Sequence, residues 1–309
     1  MTASPSQRAR ILGYAMSVFT GILAGLLYAV NKALTTELTP AQITFLEAAV
    51  ACALLVPGYL WRARGQALPR QTPWGWLLLF GLTAVMLFYM RTTGIALTSA
   101  TTGALVVRLE VGLVFVYSYL FLRERPSPWG WVGAGLLVVG MLAALDLPAG
   151  GLVLRPLGLA ALVAAAFGIA ANAVIIKLRL GGVSNSLTAL ANVTCQVMVL
   201  GPLIVLGGQL TGLGEALTSP RTAVLLGLGG FIVTWMLTTY YYAMKRVPMW
   251  TVRLLGLVTP AAALLADYFW LRSAISGGQL LGLVLVTAGS ALVIIAETPA
   301  AAVAEGVHS

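Results

Sequence analysis

Charged side chains are what this sequence lacks most. Asp, Glu, Lys and Arg make up 9% of its 309 residues, against about 25% in an ordinary soluble domain. A water-facing surface cannot be built from that composition. Histidine is almost missing too: the one present is His308, close to the C-terminal end of the chain. No histidine is therefore available inside the apolar body as a catalytic base, a triad member or a metal ligand. The two cysteines, Cys52 and Cys195, lie within apolar runs. They exclude a disulfide framework and a Cys/His metal cluster, and they read as buried thiols. No Walker sequence is present, so ATP drive from this chain is excluded. No cofactor and no metal are expected.

What is present is apolar. Hydrophobic residues account for 60% of the chain, alongside 34 glycines, and the mean hydropathy is +0.95. Glycine at that frequency suits membrane helices, where close backbone packing is useful. The net charge of +9 is not a nucleic-acid signal, because the basic residues sit singly or in pairs between hydrophobic stretches. That is how cytoplasmic loops of membrane proteins are built, and no nucleic-acid partner is expected. The partners implied are the lipid bilayer and a small molecule.

A helix needs roughly 20 apolar residues to cross the hydrocarbon core. On that rule ten spans are expected, at 11–32, 41–61, 74–97, 100–122, 128–146, 156–178, 184–207, 221–243, 248–271 and 276–296. The first follows Arg8 and Arg10 as a signal peptide would, but its apolar run is longer than an h-region and no small-residue cleavage site follows. With the N-terminus inside, 11 basic residues fall in cytoplasmic segments: Arg8, Arg10, Arg62, Arg64, Arg70, Arg123, Arg125, Lys177, Arg179, Lys245 and Arg246. The outer segments hold 4, namely Lys32, Arg155, Arg221 and Arg272. This bias predicts a multi-pass protein of the inner (cytoplasmic) membrane with both termini, including a tail at 297–309, in the cytoplasm. Trp61, Trp74, Trp76, Trp129, Trp131 and Trp250 fall at predicted cytoplasmic helix ends, where an interfacial belt belongs.

The chain also repeats itself. Arg10, Gly13 and Lys32 recur at one spacing as Arg155, Gly158 and Lys177, and Arg123, Ser127, Gly133 and Gly140 recur at another as Arg272, Ser276, Gly282 and Gly289. Residues 11–146 and 156–296 thus read as two copies of a five-helix unit. Five is odd, so the second copy enters the membrane from the opposite side. The predicted fold class is an all-α integral membrane protein of ten transmembrane helices built as two inverted five-helix repeats. Carriers that work by alternating access are built this way, with the substrate site near the midplane where the halves meet.

Ten helices in a 5+5 duplication, with the segment LRERPSPWGWVGAGLLVVG at 122–140, resemble the drug/metabolite transporter superfamily, in particular its EamA-type members. The family pattern places a proline in the middle of the fourth and ninth helices, then an acidic residue and a Ser/Thr-x-x-Gln-x-x-Gly run. Here the ninth helix has Pro260, followed by Ser276, Gln279 and Gly282. The fourth has Glu124, Ser127, Gly130 and Gly133, with Glu110–Val111 at its proline position, and Glu47 falls where the second helix usually has an arginine. The resemblance implies export of amino acids and related metabolites. Short relatives are associated with lipid-linked sugars, which keeps a lipid-carrier flippase as the alternative function.

In lipid a charged side chain costs about 3 kcal/mol or more, so each one inside a span needs a reason. Glu47, Arg91, Arg108 and Glu110 lie in the first repeat and Arg253 in the second. At 1.5 Å per residue Glu47, Arg108 and Glu110 lie roughly 18–21 Å from the cytoplasmic ends and Arg91 about 25 Å. Arg108 and Glu110, two residues apart on a regular helix, face away from each other. The pairs expected are therefore Glu47–Arg108 and Arg91–Glu110. Two readings stay open: a network that ties three helices together, or a cavity lining that binds a zwitterion or carries a coupling proton. Arg253 has no acidic residue at its depth within its repeat and is expected to snorkel or to meet a substrate carboxylate. Tyr89 and Trp235 are aromatics at depth and complete the candidate substrate-binding set. Asp267 and Trp270 are expected at the outer interface, one of Tyr240, Tyr241 and Tyr242 at the cavity, and Asn31 and Asn172 in interhelical hydrogen bonds. The Gly-x-x-x-Gly runs at Gly21/Gly25 and Gly278/Gly282 point to close helix contacts in a monomer or weak homodimer. The function read from the sequence is secondary transport of a small polar or amphipathic, amino-acid-like metabolite, driven by protons or by exchange. An intramembrane enzyme would need a His, Asp, Ser or metal constellation that the spans do not contain.

Overall fold

The computed structural model describes residues 5–63, 72–122, 127–144, 156–210, 213–244, 246–247, 252–253 and 255–306. The loop arginines Arg64, Arg70, Arg123, Arg125 and Arg155, with Lys245, Trp250, His308 and the ends of the fifth and ninth expected spans near them, lie outside the described residues. Twelve helices are described: α1 (Pro5–Leu34), α2 (Pro40–Ala63), α3 (Trp74–Leu97), α4 (Ala100–Val107), α5 (Leu109–Leu122), α6 (Pro128–Ala144), α7 (Pro156–Arg179), α8 (Asn185–Leu206), α9 (Leu213–Thr218), α10 (Pro220–Met244), α11 (Val258–Phe269) and α12 (Gly277–Gly306). No strand is present among the described residues. Six helices, α1, α2, α3, α7, α8 and α10, are long and apolar enough to cross a membrane; shorter apolar stretches lie in α6, α11 and α12. The last helix continues past the expected end of its span, as far as Gly306.

Helix pairing carries the duplication into three dimensions. The most extensive partners are α6 with α12, α3 with α7, α1 with α10 and α2 with α8; α1 also packs on α11, α5 and α4 on α7, α10 on α2 and α3 on α8. Exchanging α1 with α7, α2 with α8, α3 with α10, α4–α5 with α11 and α6 with α12 leaves this set of pairs unchanged. The repeats interlock rather than sit side by side, since the first helix of each packs against the third helix of the other.

The expected fourth span is not one helix. It breaks at Arg108 (φ −63°, ψ −12°), where Arg108 N–H donates to Leu105 O (3.1 Å) and Val111 N–H to Arg108 O (3.0 Å), both across three residues instead of four. The ninth is interrupted at Leu257 (φ −63°, ψ −13°), with Thr259 N–H donating to Gly256 O (3.0 Å). Leu257 matches Arg108 at the same register that relates Arg123 to Arg272, so the interruption belongs to both repeats. Pro260 explains the second break: in the first turn of α11 it has no N–H to lose. The first break has no proline and is held by side chains.

Small residues allow the helices their close approach. Gly21 and Gly25 of α1 face α11, and a Cβ on Gly25 would stand 2.7 Å from Thr259 O. That Gly-x-x-x-Gly run is used within the chain. Outward-facing positions carry apolar side chains such as Leu78, Met198, Leu206 and Val224, as a lipid-facing surface requires, while Trp61, Trp74 and Trp129 are exposed at helix ends. Cys52 and Cys195 are free and half-buried, less enclosed than expected.

The α6–α12 contact yields a direct test. A Cβ at Gly289 would lie 2.8 Å from Gly133 O and 2.8 Å from Leu137 N, backbone atoms that cannot rotate away, whereas one at Gly58 would meet nothing within 4 Å. Gly289→Ala is expected to cost about 1–3 kcal/mol by overpacking, and Gly58→Ala to gain up to about 1 kcal/mol of helix propensity. Thermal unfolding in detergent checks both; equal melting temperatures would contradict the packing.

Candidate functional site

A cavity of about 170 Å³ opens between the repeats, walled by α1, α3, α7, α8, α10 and the chain around both helix breaks. Its walls are largely apolar and aromatic: Tyr28, Phe80, Phe88, Ile169, Ile176, Met236, Leu237, Tyr240 and Tyr241 contribute. Polar side chains enter from every wall, of which Arg91, Arg108, Glu110 and Arg253 are charged.

Glu110 is the centre of that charge. One carboxylate oxygen accepts from Arg108 Nη1 (3.2 Å) and the other from Arg253 Nη1 (2.5 Å). All three side chains are buried. The expectation that Arg108 and Glu110 could not meet is corrected here. It assumed a regular helix, and the tighter turn at Arg108 narrows the angle between residues two apart from about 160° to about 120°, within reach of a long arginine side chain. The reading of Arg253 as lacking an acidic partner is also corrected, because its carboxylate comes from the other repeat and depth was compared within one repeat only.

Arg91 and Glu47 form a second node. The Arg91 guanidinium lies over the rings of Phe88 (4.6 Å) and Tyr28 (5.5 Å). Glu47 is buried behind it on α2 and is not among the cavity-lining residues. With the Asn31 amide oriented to satisfy both groups, its nitrogen donates to Glu47 Oε1 (2.6 Å) and Leu27 O (3.1 Å). Neither expected pair, Glu47–Arg108 or Arg91–Glu110, is among the ion pairs of the described residues.

The other candidates divide. Tyr240 and Tyr241 line the cavity, and Tyr241 is placed by a chain in which Gln196 Nε2 donates to Asn192 Oδ1 (2.7 Å) and Asn192 Nδ2 to the Tyr241 hydroxyl (3.3 Å). Asn172 accepts from Thr83 across α7 and α3, the interhelical bond expected of it, and also lines the cavity. Tyr89 is half-buried off the cavity. Trp235 is 45% exposed on the outer surface of α10, beside Phe231; depth along a helix does not say which way it faces. Sequence reasoning missed Tyr28, Asn192 and Gln196. The spacing of Asn192 and Gln196, one turn apart in an apolar helix, was the available signal.

Asp267 has a structural role. It is buried within the protein at the end of the bundle, and its Oδ2 accepts from Thr101 N (2.6 Å) and Thr101 Oγ1 (2.5 Å). A carboxylate from α11 thus satisfies the Thr101 N–H at the start of α4, while Ser99 Oγ accepts from Thr102 N (3.0 Å). Nearby, Lys32 Nζ donates to Ile95 O (3.1 Å), Ala96 O (3.2 Å) and Thr98 O (2.5 Å), closing the C-terminus of α3. The turn between α3 and α4 is therefore pinned by charges from α1 and α11.

An all-helical polytopic membrane protein of two interlocked repeats, each with an interrupted helix beside a central, mostly apolar cavity with buried charges in its wall, is the class that this fold and site define. The EamA-like transporter family model matches residues 5–145 and 156–295, and the chain belongs to that family, within the drug/metabolite transporter superfamily. It is 27% identical over 276 residues to Protein PecM of Dickeya dadantii (strain 3937), covering 85% of this chain and 86% of that protein. A solved crystal structure of 22% identity superposes with a TM-score of 0.62 over 92% of this chain and 98% of its own, which shows the fold.

Because Glu47 and Arg108 belong to different nodes, their losses should add. Glu47→Gln and Arg108→Gln are each expected to destabilise the protein. The double variant should lose the sum to within about 0.5 kcal/mol, read by reversible unfolding in mixed micelles. A larger coupling would restore the pair that the sequence suggested.

Proposed function

We propose that this membrane transporter is a secondary carrier that moves a small amphipathic metabolite, of amino-acid size, across the inner membrane by alternating access, in the outward direction. Ten membrane crossings, with α4 and α5 sharing one, both termini in the cytoplasm and inverted repeats belong to this reading. The observation that carries it is the ion-paired Glu110 between Arg108 of one repeat and Arg253 of the other, at the wall of a cavity that only the two repeats together enclose. Rocking of one repeat against the other must shear this contact. The interrupted helices place their flexible turns beside it, where a small backbone change re-aims both arginines. Drive comes from a proton gradient or from exchange. A lipid-linked carrier finds less support, since a cavity of about 170 Å³ walled by three arginines suits a compact polar molecule better than an isoprenoid chain.

Thr20, on α1 in the cavity wall, shares a hydrogen bond with Thr239 of α10 (2.6 Å) and reports on access without any knowledge of the substrate. In a variant with Cys52 and Cys195 replaced by alanine, Thr20→Cys should react with a membrane-impermeant thiol reagent from either face, in right-side-out and in inverted vesicles. Reaction from one face only would contradict alternating access.

A further inference from the structure

Three arginines line the cavity, Arg91, Arg108 and Arg253, against one carboxylate, Glu110, with Glu47 one layer behind. Among the described residues this leaves one positive charge uncompensated. Several donors are also unused. Arg91 Nε and Nη2, Arg108 Nε, and Arg253 Nε and Nη2 have no hydrogen-bond partner among the described residues, nor does the Thr259 hydroxyl. All four residues are more than nine-tenths buried and all four border the cavity. A buried guanidinium with idle N–H groups is costly unless a ligand completes it.

Thr259 stands in the first turn of α11, beside the cavity at Gly256, and its unpartnered hydroxyl adds a further donor for an anionic group. Conversely, an ammonium finds no free carboxylate. Both oxygens of Glu110 are held by arginines, and Glu47 lies off the wall and accepts from Asn31. The faces of Phe88 and Tyr28, where a cation would dock, are covered by Arg91.

The rest of the wall sets the body of the ligand. Phe80 and Tyr241 meet edge to face at 6.3 Å and Tyr240 and Tyr241 at 5.4 Å, beside Ile169, Ile176, Met236 and Leu237. A cavity of about 170 Å³ is close to the roughly 150 Å³ that accepts one benzene ring.

Resting on the carrier reading, we infer that the cavity is a site for a small amphipathic monocarboxylate, with a single ring or branched aliphatic body, whose carboxylate docks on Arg91, Arg253 and the Thr259 hydroxyl. The transported species is a net anion and not a zwitterion. Arg91 has no ion pair within the wall, which makes it the docking cation whose removal is felt most in binding.

The test uses probes matched in size and differing in charge. Purified full-length protein is titrated with phenylacetate, phenylalanine, phenethylamine, 2-phenylethanol and inorganic phosphate, read by calorimetry and by thermal shift, since a ligand selective for the native state raises the melting temperature. Phenylacetate should bind and stabilise, and the other four should bind at least tenfold more weakly. Arg91→Gln should weaken phenylacetate about ten- to a hundredfold, with Arg91→Lys recovering part of the loss. Binding of phenylalanine or phenethylamine as tight as that of phenylacetate overturns the inference, as does binding of none of the five. If Arg91→Gln does not fold, the charge series on the unaltered protein still decides. Flux of labelled phenylacetate and phenethylamine into proteoliposomes separates the two claims. Anion binding without flux would remove the carrier reading and leave the site; amine flux without anion binding would do the reverse.

Discussion

A carboxylate shared by two guanidiniums in an apolar layer is the interaction on which this molecule depends. Glu110 joins Arg108 at 3.2 Å and Arg253 at 2.5 Å, and none of the three could be buried alone. Removing one partner of a buried ion pair costs about 3–5 kcal/mol, because the remaining charge is left in a medium that does not solvate it. The tighter turn at Arg108 helps residues two apart to meet, and Arg253 reaches the same carboxylate from the other repeat, just before the interruption at Leu257. Backbone irregularity and buried charge therefore require each other. Such turns are tolerated at membrane depth only where they border a polar cavity or are enclosed by protein.

Around this centre, charges at one end of the bundle act on the backbone. Lys32 closes the last carbonyls of α3 and Asp267 holds the Thr101 amide at the start of α4. These are contacts between α1, α3, α4 and α11, elements of both repeats, and they fix one end of the interrupted helices while Glu110 holds the middle. Small residues do the rest. Gly21 and Gly25 let α1 lie against α11, and Gly140 and Gly289 let α6 lie against α12. Close packing in the molecule thus rests on glycine against backbone, and its buried charge on arginine against carboxylate.

The helical organisation was legible in the sequence because it rests on long-range regularities: apolar runs of membrane length and two sets of matched residues. The family followed from the same features, with Pro260 and the Ser276, Gln279, Gly282 run. The charged residues of the site were legible as residue types, since Glu47, Arg91, Arg108, Glu110 and Arg253 stand out in an apolar chain. Their pairing was not. Helical arithmetic separates Arg108 from Glu110 only if the helix is regular, and no proline announces the break. Arg253 and Glu110 are neighbours only once the repeats interlock, which comparison within one repeat cannot reveal. Trp235 shows the converse limit, because its depth was readable and its outward direction was not. Tyr28, Asn192 and Gln196 carry no unusual chemistry in one dimension and acquire their place from the fold.

The central claim is that one carboxylate couples the two repeats. A double-mutant cycle on Glu110→Gln and Arg253→Gln, measured by reversible unfolding in mixed micelles, tests it most directly. Each single variant should lose about 3–5 kcal/mol, and the double variant should fall short of their sum by about 1–3 kcal/mol. Losses that add to within about 0.5 kcal/mol would show that the two side chains do not act together and would contradict the coupling of the repeats through Glu110.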